Sequence, residues 1–103
     1  MDRIEKLNEL LKLSPHDSFL KHALALEYIK RNDNVAARKL FEEILNSNPG
    51  YVGSYYHLAK LLERAGETDI AIQWYEKGMT AAKQAGDKHA YTELQAAYED
   101  LVE

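Results

Sequence analysis

The sequence predicts an all-α protein, and three observations carry the prediction. Apolar residues recur at intervals of three and four in every long segment, never in strict alternation. Turn-forming residues divide the chain into six such segments, joined by breaks of two to four residues, which obliges neighbouring helices to pack antiparallel. The chain also matches itself at an offset of 34 residues, the signature of stacked helix pairs.

The first helix is expected over Asp2–Leu13, with Ile4, Leu7 and Leu11 on one face. Ser14-Pro15-His16-Asp17 reads as the start of the second: serine can accept a backbone bond, proline suits the first helical position, and aspartate complements the positive helix end. That helix runs to Arg31, with Leu20, Ala23, Leu24 and Tyr28 inward. Asn32 tolerates the left-handed conformation that closes a helix, and Asp33 can cap the next.

The third helix, Val35–Ser47, carries Ala37, Leu40, Phe41, Ile44 and Leu45 at helical spacing and is broken by Asn48-Pro49-Gly50. The fourth, Tyr51–Ala65, turns Tyr55, Leu58, Ala59 and Leu62 inward and stops at Gly66, after which Thr68 is the expected cap. The fifth, Asp69–Ala85, aligns Ala71, Ile72, Tyr75 and Met79. Gly86-Asp87 repeats the stop and the cap before the sixth, Lys88–Glu103, with its stripe of Tyr91, Leu94, Tyr98 and Leu101.

The 103 residues suit one domain, able to bury roughly two-thirds of its unfolded surface. Cysteine is absent, so disulfides and thiolate metal sites are not available. The charged opening Met1-Asp2-Arg3-Ile4-Glu5 lacks the apolar run of a signal peptide, and no stretch reaches the roughly 18 apolar residues that cross a bilayer. A soluble cytoplasmic protein is expected. The net charge of −4 comes from 17 acidic and 13 basic residues that are interspersed, without the basic stripe that nucleic acid requires.

In the 34-residue register, Leu24 falls on Leu58, Ala25 on Ala59, Tyr28 on Leu62, Ala37 on Ala71, Phe41 on Tyr75, Leu45 on Met79 and Pro15 on Pro49. Leu7, Leu10 and Leu11 of the opening helix continue it onto Phe41, Ile44 and Leu45. Small residues stand where helices must cross closely, and large ones where a gap must be filled.

The run Lys21, Leu24-Ala25, Tyr28, Ala37, Phe41, Pro49, followed by Tyr55, Leu58-Ala59, Leu62, Ala71, Tyr75, resembles the tetratricopeptide repeat. That family's pattern is an aromatic, Leu-Gly and Tyr on a first helix, then Ala, an aromatic and Pro on a second. Alanine stands for the glycine in both repeats, Lys21 for the first aromatic and Lys83 for the final proline, while Ile44 and Gly78 replace a small alanine. The resemblance divides one domain into a half repeat (2–14), two repeats (15–49 and 50–85) and a capping helix (87–103). The last matches the fourth helix at an offset of 36, through Tyr91, Leu94 and Tyr98, and its outward positions Lys88, Glu93, Glu99, Asp100 and Glu103 are polar, so the module reads as complete.

The resemblance implies a right-handed α-α superhelix whose first helices line a concave groove for an extended peptide or a partner helix. Carried onto this chain, the groove positions are Phe19, His22, Leu26, Ile29 and Lys30, then Gly53, Tyr56, Lys60, Glu63 and Arg64. They are apolar at Leu26 and Ile29, aromatic at Tyr56 and basic at Lys60 and Arg64, suiting a peptide with an apolar anchor and an acidic group. The lysine and asparagine set with which some members clamp a C-terminal carboxylate is not matched, since His22 and Leu26 hold those positions.

No nucleophile motif, glycine-rich phosphate loop or zinc-ligand spacing is present, so neither catalysis nor a cofactor is expected. His16, His22, His57 and His89 are not paired at helical spacing. Tyr28, Phe41, Tyr55, Tyr75, Tyr91 and Tyr98 stand at core positions; Tyr51, Tyr56 and Trp74 are left over. The expectation is a protein-binding module, monomeric or weakly dimeric, free of nucleic acid and membrane. The alternative is a self-associating module joined through Trp74 or an exposed end.

Overall fold

The computed structural model describes residues 2–103, and among these it contains six α-helices and no strand: α1 (Arg3–Leu13), α2 (Ser18–Lys30), α3 (Asn34–Ser47), α4 (Gly53–Arg64), α5 (Thr68–Ala85) and α6 (Lys88–Val102). The chain divides into two compact units, one ending at Asn48 and holding α1–α3, the other spanning Pro49–Glu103 and holding α4–α6.

Four of the helices begin at an aspartate whose carboxylate accepts a backbone N–H three residues on: Asp2 from Glu5, Asp17 from Leu20, Asp33 from Ala36 and Asp87 from Ala90. Each satisfies one of the amides that the first helical turn leaves without a partner. Here Ser14 and Pro15 depart from expectation. Ser14 closes α1, its N–H donating to Leu10 O, and its own carbonyl accepts from Asp17 N at 3.1 Å. Ser14–Asp17 is therefore a β-turn with proline at its second position, where a fixed φ is favourable, and α2 starts only after it. Thr68 is also displaced from its expected role. It is the first residue of α5, Glu67 stands at the N-cap, and no side chain caps that helix. Gly53, not Tyr51, opens α4.

The helix ends repeat with the sequence. Asn32 and Gly66, 34 residues apart, have φ of 60° and 80°, and Gly86 has 69°. In each case the following N–H reaches back five residues: Asp33 to Tyr28 O, Glu67 to Leu62 O, Asp87 to Ala82 O, all at 2.9 Å. This closure needs a left-handed residue, which glycine supplies without strain and asparagine at small cost.

In the first unit the helices run antiparallel. The start of α1 meets the end of α2 through Arg3–Glu27 (3.0 Å) and Asp2–Arg31 (3.5 Å). The start of α2 meets the end of α3 through Lys21–Glu43 (4.0 Å) and the Asn48 amide, which donates to Ser18 Oγ. Leu7, Leu24, Ala25, Ala37, Phe41, Ile44 and Leu45 are buried. Ala25 and Ala37 are wholly enclosed, as the register required of positions where backbones approach.

The second unit is built the same way. Leu94 of α6 lies against Gly78 of α5, and Tyr98 near the end of α6 donates to Glu76. Tyr55, Leu58, Ala59, Leu61, Leu62, Ala71, Tyr75, Ala82, Leu94 and Ala97 are buried. Each buried leucine contributes roughly 1.5–3 kcal/mol over leaving it in water. Every residue the periodicity turned inward is buried or half-buried. Tyr28, Tyr91 and Tyr98 are half-buried. Gln95 of α6 answers at an offset of 36 to the enclosed Ala59 of α4, and it is exposed, so this helix presents a polar residue where α4 presents a packing surface.

Candidate functional site

The groove positions fall on two faces, one on α2 in the first unit and one on α4 in the second. On α2, Phe19, His22, Leu26, Ile29 and Lys30 follow helical spacing and share one side. Phe19 is 67% exposed, an unusual position for a phenylalanine, while Leu26 and Ile29 are half-buried. His22 is half-buried, its ring edge-on to the enclosed Phe41 at 5.5 Å, so it belongs as much to the core as to the face. Lys30 is exposed and pairs with Glu27 Oε1 at 3.2 Å, the oxygen that also holds Arg3 Nε.

On α4, Gly53 is exposed at the first turn, and Tyr56, Lys60 and Glu63 form a connected group. Lys60 Nζ lies 5.7 Å from the centre of the Tyr56 ring and 3.6 Å from Glu63 Oε1. A cation within about 6 Å of an aromatic face is attracted by the ring quadrupole. Glu63 Oε1 also accepts from the Tyr75 hydroxyl at 2.9 Å. Burial pushes the Tyr75 phenol well above its ordinary range, and the hydrogen bond to Glu63 and that residue's charge act in the same direction. Arg64, in the last turn, is exposed, and its positive charge acts on the Tyr75 phenol, opposing the upward shift.

Beside Tyr56, the ring of His57 stands almost perpendicular to it at 5.8 Å. Burial holds the His57 pKa below its ordinary value; Glu93 of α6 opposes the shift and Arg64 adds to it. Sequence reasoning passed over both His57 and the outward reach of Tyr75. The second left a trace in the repeat register, where Phe41 and Ile29 of the first repeat become Tyr75 and Glu63 in the second.

Trp74, half-buried, is engaged within its own unit: Lys77 Nζ sits 4.5 Å from its ring centre, and the Tyr55 ring is 6.0 Å away. Among the described residues, no helix is long and apolar enough to cross a membrane.

The repeat register, the matching helix ends and the paired core positions all describe one helix pair used twice. The tetratricopeptide repeat family model matches residues 28–98. The chain belongs to the tetratricopeptide repeat family. A tetratricopeptide repeat domain protein from Salinibacter ruber, solved crystallographically, is 42% identical, with a TM-score of 0.80 over 82% of this chain and 94% of its own. The solution structure of a Bordetella parapertussis protein is 27% identical, with a TM-score of 0.83 over 98% of this chain and 88% of its own. Mouse aspartyl/asparaginyl beta-hydroxylase is 28% identical across 81 residues, 79% of this chain, and the chain spans 11% of that enzyme's length. These likenesses place the chain's all-α helical repeat fold with the tetratricopeptide repeats.

Proposed function

We propose that this chain is a non-catalytic protein-interaction module of the cytoplasm, laid out as a half repeat, two repeats (15–49 and 50–85) and a capping helix. In this reading the outward face of α2 in the first unit and that of α4 in the second are each a surface for an extended peptide or a partner helix, the role that first helices have in tetratricopeptide repeats. The observation that carries it is the α4 face. Tyr56 is half-buried and flanked by the ordered Lys60, with the exposed Arg64 one turn further on. Such a face offers a rigid aromatic surface for an apolar anchor and a guanidinium for a carboxylate, the residue types that dominate binding energy at interfaces. Phe19, Leu26 and Ile29 on α2 offer apolar surface of the kind that a partner's side chains cover. Trp74 is a weaker anchor for self-association, because Lys77 already covers its ring.

The test is selection of displayed random peptides on the immobilised protein, followed by titration of the enriched peptide into isotope-labelled protein. Amide shifts confined to α2 and α4, with affinity reduced about tenfold or more in the Tyr56→Ala/Arg64→Glu variant, support the reading. Binding that this variant leaves unchanged, or failure to enrich any peptide, overturns it.

A further inference from the structure

The two repeats differ at three register positions, two on the first helix and one on the second. In the 34-residue register Leu26 answers to Lys60, Ile29 to Glu63 and Phe41 to Tyr75. The first repeat uses three apolar side chains there. In the second all three are polar, and they are joined: the Tyr75 hydroxyl donates to Glu63 Oε1 at 2.9 Å, and Lys60 Nζ is 3.6 Å from the same oxygen and 5.7 Å from the Tyr56 ring centre.

Only one member of this series is fixed by the core. Tyr75 has no exposed surface, whereas Lys60 and Glu63 are about 30% exposed (29% and 32%). A Lys–Glu pair three residues apart on a helix surface is ordinarily weak, because two long side chains give up rotamer freedom to hold one geometry in water. A carboxylate already held by a buried phenol has surrendered that freedom, so the lysine meets a fixed counter-ion.

We infer that Tyr75 is a positioning residue for the α4 face: its buried hydroxyl holds Glu63 as the internal counter-ion of Lys60 and so keeps the ammonium seated over Tyr56. The consequence, which rests on the binding reading of this face, is a division of labour between its two cations. Lys60 is neutralised within the protein and shapes the aromatic surface, while Arg64 is the cation that meets a partner's carboxylate.

The experiment needs no ligand, so its failure is separable from failure of the binding reading. Nuclear Overhauser contacts between the Lys60 ε-methylene and the Tyr56 ring are measured in the wild type, Tyr75→Phe and Glu63→Gln, each with and without 1 M salt. At that salt the screening length is about 3 Å, short enough to dissolve an unsupported surface pair. The wild-type contact should persist in salt. In Tyr75→Phe it should fall by at least half and vanish in salt. In Glu63→Gln, where the amide oxygen still accepts from Tyr75 but the charge is gone, it should be lost at either salt. A contact unchanged in Tyr75→Phe, or already abolished by salt in the wild type, overturns the assignment. Should Tyr75→Phe fail to fold, Glu63→Gln decides alone, and a retained contact there overturns it. The Tyr75→Phe/Glu63→Ile pair, which restores the first repeat's combination, should fold and show no Lys60–Tyr56 contact; a contact there also overturns it.

Discussion

Gly78 and Tyr55 approach so closely that no side chain fits between them: a Cβ on Gly78 would lie 2.7 Å from Tyr55 Cβ and 3.0 Å from its Cγ. Leu94 Cδ1 closes the other side at 3.1 Å. The first repeat carries the opposite pairing at the same register positions, with Lys21 for the aromatic and a fully buried Ile44 for the glycine. Bulk has been exchanged across the helix pair: where the first helix supplies a large ring, the second must supply nothing.

Gly78→Ala is therefore expected to destabilise the protein by about 1–3 kcal/mol, the usual cost of overpacking, although alanine favours a helix over glycine by about 1 kcal/mol. Tyr55→Ala should not rescue it, because the nearest atom is the Cβ that alanine keeps. Urea denaturation checks this: the midpoint should fall with little change in slope. A midpoint at or above the wild type would show that the helices yield without cost.

Glu67→Asp should stabilise. Glu67 and Asp33 occupy equivalent N-caps with similar backbone angles, φ −90° and −94°, yet only the Asp33 carboxylate accepts an N–H from the first turn of the helix it precedes. The shorter carboxylate suits the capping geometry, and a gain of about 0.5–1 kcal/mol is expected. Thermal denaturation should show a rise of a few degrees, since about 1 kcal/mol moves the midpoint of a domain this size by about 4–8 °C.

Glu27→Ala should loosen α1. Its largely buried carboxylate, 13% exposed, joins Arg3 of α1 to Lys30 of α2. A cost of about 1 kcal/mol is expected, at the upper end for such pairs because the acceptor is shielded. Hydrogen exchange should locate it: amides of α1 should exchange faster while those of α5 keep their protection.

Stability should fall on acidification through a group that is not a carboxylate. Burial lowers the His57 pKa below 6.5 in the folded protein. The unfolded chain then binds more protons between that lowered value and 6.5, and stability declines as pH drops through this window. His57→Gln should flatten this part of the profile. Alkali acts oppositely through Tyr75: its folded pKa lies above the ordinary 10.0, so stability should be lost as pH rises beyond that value. Tyr75→Phe should blunt this loss. Denaturant midpoints across pH test both.

Much of the fold was legible because it rests on local rules. Asn32 and Gly66 announce left-handed helix ends, Asp33 and Asp87 announce caps, and the apolar spacing names faces that the structure buries. Where two local signals competed, at Ser14-Pro15-His16-Asp17, the stronger carboxylate cap won, and proline took the turn position that its fixed φ also suits. The candidate site was legible only as a set of positions. Helical spacing puts Tyr56, Lys60 and Glu63 on one side of α4, but it does not say which of them are already occupied with one another.

The sequence by itself determined the class, the six helices and the 34-residue repeat, since periodicity and capping depend on neighbours a few residues away. Only the tertiary structure decided that Gly78 has no room for a methyl group, that Tyr75 reaches from the core to Glu63, and that His57 is desolvated beside α6. The reason is physical: distances between helices are set by all the side chains packed between them at once, and no run of residues along one helix contains that sum.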